Sequence, residues 1–194
     1  MKKTALLFVT ILGLSQAILA QTNWVLDKAH TDIRFTATHM VISEVDGEFK
    51  QFDGKVVSRS DDFHGADVEF TAKVASIDTD NERRDGHLKS DDFFNAEKYP
   101  ELKFSGKIEK QGNDYYLAGN LTIRDVTKSV RFDVKYNGTL DLQNGKKAGF
   151  KISGTVDRFE YGLKWDRTVE TGGLVAGREI QITCNVELDE SKGS

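Results

Sequence analysis

The 194-residue chain has one cysteine, Cys184, and one proline, Pro100. A lone cysteine excludes a disulfide scaffold and any zinc site built on paired cysteines. The shortage of proline removes the residue that breaks long β-ladders, because proline has no N–H to donate. Histidine is scarce too. His30, His39, His64 and His87 form no HxH, HxxxH or HExxH spacing, so no compact metal motif is present. Positive charge is in deficit, with 27 Lys and Arg against 31 Asp and Glu. That balance argues against a nucleic-acid-binding stripe, which would be basic. No Gly-x-Ser-x-Gly elbow supports a serine nucleophile. Long hydrophobic runs are missing as well. The one clear run, from Ala5 to Leu14, is shorter than the roughly 20 residues a bilayer span needs.

That run follows Lys2 and Lys3 and precedes Ser15-Gln16-Ala17-Ile18-Leu19-Ala20. A charged start, a short apolar stretch and small residues at the end predict a secretory signal peptide over residues 1–20, cleaved after Ala20 or after Ala17. No cysteine follows either position, so no lipoprotein anchor is expected. The expected layout is a leader, one domain over residues 21–190 and a flexible tail over 191–194.

The rest of the chain alternates with a period of two. Ile180, Ile182, Cys184, Val186 and Leu188 are interleaved with Glu179, Gln181, Thr183, Asn185 and Glu187. The same alternation carries Val130, Phe132, Val134 and Tyr136; Val68, Phe70, Ala72 and Val74; and Tyr115, Leu117, Gly119, Leu121 and Ile123. It recurs in Phe150, Ile152, Gly154 and Val156 and in Ile33, Phe35 and Ala37. Weaker strand signals cover 47–52, 55–60 and 102–110. Gly112-Asn113-Asp114, Asn137-Gly138 and Asn144-Gly145 mark hairpin turns. About eight antiparallel strands, each with one apolar face, must stack on a second sheet or close on themselves. Their length and short hairpins favour an eight-stranded up-and-down barrel, wide enough inside for side chains or one small ligand. Small inward residues (Ala37, Ala72, Gly119 and Gly154) leave room. That room is either a cavity or space filled by phenylalanine from across the barrel.

Two connections break the strand pattern, and each is expected to hold a short helix. Residues 78–100 carry Thr79-Asp80-Asn81-Glu82, which matches a capping box, and Ser90-Asp91-Asp92, which resembles a second cap. A connection this long without strand character is a plug for one barrel end, or a lid whose polar cluster meets a ligand. Arg84 in it is placed to meet a ligand head group or to pair with Asp85. The second connection, 158–177, is glycine-rich at Gly172, Gly173 and Gly177 but lacks the Gly-Lys-Ser/Thr of a phosphate loop. It reads as a rim loop in which Trp165 and Tyr161 shield a barrel mouth. Asp61-Asp62 and Asp91-Asp92 read as solvated loop acids. Cys184 has inward parity and is expected to be buried and inert. His39 shares the inward parity of Phe35.

An ordered set of segments resembles the YceI-like family of polyisoprenoid-binding periplasmic proteins. It comprises Trp24, Asp27, His30-Thr31, Ile33, Phe35 and His39, then Val45, Gly47-Glu48-Phe49, Phe52 and Gly54. It continues through Ser76-Ile77-Asp78-Thr79, Asn81, Arg83-Arg84-Asp85, His87-Leu88-Lys89-Ser90 and Asp92-Phe93-Phe94. Lys98-Tyr99-Pro100, Phe104, Gly119-Asn120-Leu121-Thr122-Ile123, Val126-Thr127-Lys128, Arg158-Phe159 and Tyr161-Gly162 complete it. Asp125 stands where the family commonly has glycine, and Glu160-Tyr161-Gly162 where it has Asp-Phe-Gly-like text.

The resemblance implies an extended, antiparallel, eight-stranded lipocalin-like barrel holding an amphiphile with a polyisoprenoid tail. The leading reading is a carrier or store without catalysis and without a cofactor. The alternatives are a scavenger of other lipophilic small molecules, such as antibiotics or fatty amides, and a lipid-modifying enzyme. Phe35, Phe49, Phe70, Phe104, Leu121, Phe132, Phe150 and Ile152 are the expected tail contacts. Leu88, Phe93 and Trp165 belong to lid and rim, and Arg84, His87 and His39 supply polar groups. The expected partner is an isoprenoid lipid or a similar amphiphile in the periplasm, with no nucleic acid and no stable membrane insertion. A homodimer is left open.

Overall fold

The computed structural model describes residues 21–168 and 173–191. The expected leader, residues 169–172 with Gly172, and residues 192–194 of the expected tail lie outside the described residues. The strands are β1 (Thr22–Leu26), β2 (Asp32–His39), β3 (Ser43–Phe49), β4 (Phe52–Ser58), β5 (Asp67–Lys73) and β6 (Ile77–Asp78), then β7 (Glu101–Gln111), β8 (Asp114–Ile123), β9 (Val126–Leu142), β10 (Gly145–Asp157) and β11 (Ala176–Glu190). One α-helix, α1, spans Glu82–Lys89.

Eight of these strands close a ring in the order β1–β4–β5–β7–β8–β9–β10–β11 and back to β1, with antiparallel pairing throughout. This is the closed antiparallel barrel that the alternation predicts. β11 is long enough to hold two partners end to end. Its Leu188–Glu190 end pairs with β1 and its Ala176–Asn185 stretch pairs with β2. β2 then carries β3, and β3 carries β6. β1 and β2 therefore act as one strand interrupted at Asp27–Thr31, and β3 and β4 as one strand interrupted at Lys50-Gln51. The weak strand signal over 47–52 thus spans a bend rather than one strand. Ser76 holds that bend: its carbonyl accepts from Lys50 N–H at 3.1 Å and its hydroxyl from Gln51 N–H at 3.0 Å.

An ionic staple pins the interruption between β1 and β2 on the outer wall. The Lys147 ammonium on β10 lies 2.7 Å from Asp27, 2.7 Å from Glu187 and 2.8 Å from Asp189. His30 Nδ1 lies 2.8 Å from the same Asp27 carboxylate. Hydrogen bonds from Lys147 and then from His30 hold the Asp27 carboxyl well below the ordinary carboxylate range. Its hydrogen bond to Asp27 raises His30. The signs are opposite. The Asp27 contribution is present above the ordinary carboxylate pKa and is lost as pH falls through the depressed value. The His30 contribution is present below about 6.5 and is lost as pH rises through the raised value. The melting temperature is therefore expected to fall below about pH 4, and Lys147→Met should flatten that acid limb in a circular-dichroism pH series. An acid limb unchanged by Lys147→Met would show that the staple contributes nothing.

Of the two expectations for the small inward residues, filling by rings from across the barrel is the one the structure contradicts. Phe35 lies opposite Gly47 in the β2–β3 register, and a Cβ on Gly47 would sit 2.3 Å from its ring. A Cβ on Gly154 would sit 2.5 Å from Phe132, and those on Gly106 and Gly119 within 2.8 Å of Phe104. The rings thus fill the glycine space from the same or the neighbouring strand, not from across the barrel. Each ring lies along the wall over bare backbone and so does not project into the centre.

Candidate functional site

One end of the barrel is closed. The loop after β4 turns Phe63 inward, at 1% exposure. Its ring meets Trp24 at 5.0 Å, Phe150 at 5.0 Å and Tyr136 at 5.6 Å, and Tyr136 stacks on Phe150 at 5.0 Å. Asp62 anchors this loop. It accepts from Lys110 Nζ at 2.8 Å, from the Ser60 hydroxyl and from His64 N–H, and these bonds lower its carboxyl to about 2. Asp62 is a structural anchor, whereas Asp61 is exposed as expected.

Above this floor runs a cavity of about 730 Å³. Its wall is almost wholly apolar. Phe35, Phe49, Phe70, Phe104, Leu121, Phe132, Phe150 and Ile152 line it, as their parity predicts. Leu88, Phe93 and Trp165 line it too, together with His39, Arg84 and His87. The structure therefore brings every sequence-predicted site residue to one cavity. The volume lies within the roughly 300–1,000 Å³ usual for small-molecule sites. Cys184 also faces it, and burial pushes its thiol up to about 12, which leaves it protonated and unreactive at neutral pH.

The other end carries the polar groups. Here the 79–100 connection covers the gap left beyond β6, the last strand of the β2–β3–β6 extension. The helix starts later than the capping-box reading places it. Asn81 is its N-cap and accepts from Arg84 N–H at 3.0 Å. Thr79 is diverted to a different task, donating its N–H and hydroxyl to buried Asp85. Nor does Ser90-Asp91-Asp92 start a second helix. Ser90 ends α1, with its N–H and hydroxyl both on the His87 carbonyl.

Arg84 does not pair directly with Asp85. It donates to the Thr79 hydroxyl at 2.7 Å and to the Thr79 carbonyl at 2.6 Å, so Thr79 links the two. His87 bonds Asp92 at 2.8 Å and packs edge-on against Phe93 at 5.1 Å and Trp165 at 5.3 Å. Phe93 and Trp165 lie 5.5 Å apart, completing an aromatic rim. Tyr161 takes no part in it. Its side chain is buried, does not line the cavity and has no hydrogen-bond partner for its hydroxyl among the described residues.

Arg158 is the residue that sequence reasoning missed as a site member. It is 4% exposed and lines the cavity. Its guanidinium donates to the carbonyls of Gly177 (2.8 Å), Leu163, Trp165 (2.8 Å) and Ala176 (2.9 Å). It lies over Phe159 at 4.5 Å and Phe93 at 5.7 Å. Among the described residues no carboxylate bonds it, and burial lowers its pKa below that of a free guanidinium. The signal was an arginine beside a glycine-rich connection full of carbonyls, which could not be aimed without the fold.

Among the described residues one group has ligand atoms close enough for a metal ion: Asp27, His30 and Glu187. The Lys147 ammonium already sits against both of its carboxylates.

A closed-bottom barrel with an apolar bore and polar groups at one end defines a lipocalin-like β-barrel. The YceI-like domain model matches residues 24–188, and the chain belongs to that family. A UPF0312 protein of Staphylococcus epidermidis is 36% identical over 86% of this chain and 97% of its own. A Campylobacter jejuni YceI protein of known structure is 32% identical, covers 87% of this chain and 97% of its own, and superposes with a TM-score of 0.69. A polyisoprenoid binding domain from Saccharophagus degradans, 12% identical, shares the fold at a TM-score of 0.66 over 87% of this chain and 98% of its own.

Proposed function

We propose that the protein is a non-catalytic carrier or store for an amphiphilic lipid of the polyisoprenoid type, such as a polyprenyl phosphate or an isoprenoid quinone. The leader expected over residues 1–20 would take it to the periplasm, where such a lipid cannot cross water unaided. The observation that carries this reading is the bore itself: about 730 Å³, apolar along its length, floored by Phe63, with Arg84, His87 and Arg158 at the opposite end. Each methylene moved from water into such a bore contributes about 0.8 kcal/mol. Ten contribute about 8 kcal/mol before ordering costs, and a net 8.2 kcal/mol corresponds to about 1 μM. The head group would sit among Arg84, His87 and Arg158, while His39 lines the bore and offers its imidazole to an oxygen of the ligand. The polyisoprenoid binding of the Saccharophagus degradans domain supports the ligand class through shared architecture.

Native mass spectrometry of gently purified protein tests the reading. A co-purified isoprenoid mass is the expected result. Protein that arrives empty and also ignores added prenyl lipids would overturn it. The scarcity of polar groups along the wall favours a second reading, a scavenger of assorted lipophiles. Competition separates the two, because a prenyl lipid should displace a fluorescent lipophile at far lower concentration than unrelated lipophiles do.

A further inference from the structure

We infer that the β2–β3 hairpin tip, Met40-Val41-Ile42, docks the open end of the barrel onto a lipid bilayer surface. Met40 is 43% exposed, Val41 66% and Ile42 87%. The three are contiguous and convex, and none of them lines the cavity. They stand directly at its open end. Met40 N–H donates to the Val175 carbonyl at 2.9 Å, and His39, Val175 and Ala176 line the cavity.

The backbone of the tip makes these side chains harder to explain as filler. Ile42 N–H donates to the His39 carbonyl at 3.2 Å across a two-residue turn. Met40 and Val41 both have positive φ, 51° and 67°. That is a type I′ hairpin turn, which favours Asn-Gly. A β-branched valine in this conformation is strained. The tip therefore holds a methionine and a valine where a less strained and more soluble pair would close the same hairpin, and it turns them outward.

The occupant follows from shape and area. Three side chains expose at most a few hundred Å², well short of the roughly 800 Å² per partner of a stable protein interface. A bilayer needs no matching groove, and short apolar tips beside a polar rim suit its interface. The docking role rests on the carrier reading only in that cargo passes between the bore and a membrane. The bilayer contact itself requires no cargo.

The test uses Ile42→Cys carrying an environment-sensitive fluorophore. Labelling is selective because Cys184 is buried and its thiol is pushed up to about 12. The control is Gln143→Cys, in the β9–β10 turn at the closed end beside exposed Leu140 and Leu142. Mixed phosphatidylcholine–phosphatidylglycerol vesicles without any isoprenoid should blue-shift the label at position 42 and raise its emission by about two-fold or more, leaving position 143 unchanged. A second variant adds Met40→Asn and Val41→Gly to the labelled chain. It should lose the vesicle response while its melting temperature rises and its binding of a fluorescent lipophile in vesicle-free solution stays the same. No response at position 42, an equal response at position 143, or a vesicle-free response that grows with protein concentration would each overturn the inference, the last by pointing to a second copy. Lipophile binding in solution reports on the carrier reading separately, so either can fail alone.

Discussion

Arg158→Ala is expected to cost about 3–5 kcal/mol of stability, because a buried acceptor left without a donor costs about 1–3 kcal/mol and Arg158 serves four carbonyls. At this chain length that corresponds to a fall of about 10 °C in melting temperature. The carbonyls of Leu163, Trp165, Ala176 and Gly177 belong to two limbs of one connection, and the guanidinium ties those limbs together alongside the Val175 N–H bond to the Arg167 carbonyl. Losing it should also free the connection, so limited trypsin digestion at Lys164 or Arg167 should accelerate. Arg158→Lys keeps the charge but has one nitrogen in place of a planar fork, and should fall between wild type and alanine. A melting temperature within two degrees of wild type for Arg158→Ala would mean that water replaces these bonds at no cost.

Ile182→Trp is expected to weaken binding of a prenyl lipid about 100-fold. Ile182 lines the bore, is partly exposed to it and sits on β11 beside Gly154. An indole there should project across the channel and confine a tail to part of it. Losing about four methylenes at about 0.8 kcal/mol each removes about 3 kcal/mol, or about two orders of magnitude in affinity. Ile182→Val should bind nearly as wild type. Titration of both variants with a fluorescent prenyl analogue decides the matter. Equal affinities would place the ligand outside the bore and overturn the carrier reading.

The fates of particular residues separate what was legible in the chain from what was not. The parity of the alternation places Phe70, Phe132, Phe150 and Ile152 on the inner wall, and the structure puts them there. A period of two is a local property of the strand and survives any arrangement of neighbours. The helix start was misplaced from Thr79 to Asn81 because two residues compete for the capping role. The choice depends on Asp85, which takes the threonine's hydroxyl and N–H. The β2–β3 hairpin carried no turn signal, since Met40-Val41 occupies a conformation that Asn-Gly would have announced. Tyr161 was assigned to the rim beside Trp165 on proximity in the chain. The short 3-10 helix Arg158–Tyr161, the helical piece expected in this connection, buries it instead.

The sequence by itself determined an antiparallel sheet of about eight strands, favoured its closure, and set the side each residue of the clearly alternating strands faces, because alternation and turn chemistry are written residue by residue. Only the tertiary structure decided that the barrel is hollow. Phe35, Phe104 and Phe132 lie along the wall over glycines, while Phe63 seals one end, and each of those placements depends on a partner distant in the chain or on the neighbouring strand's register. The same holds for Arg158, whose four carbonyl partners come together only when the two limbs of its connection fold back beside it.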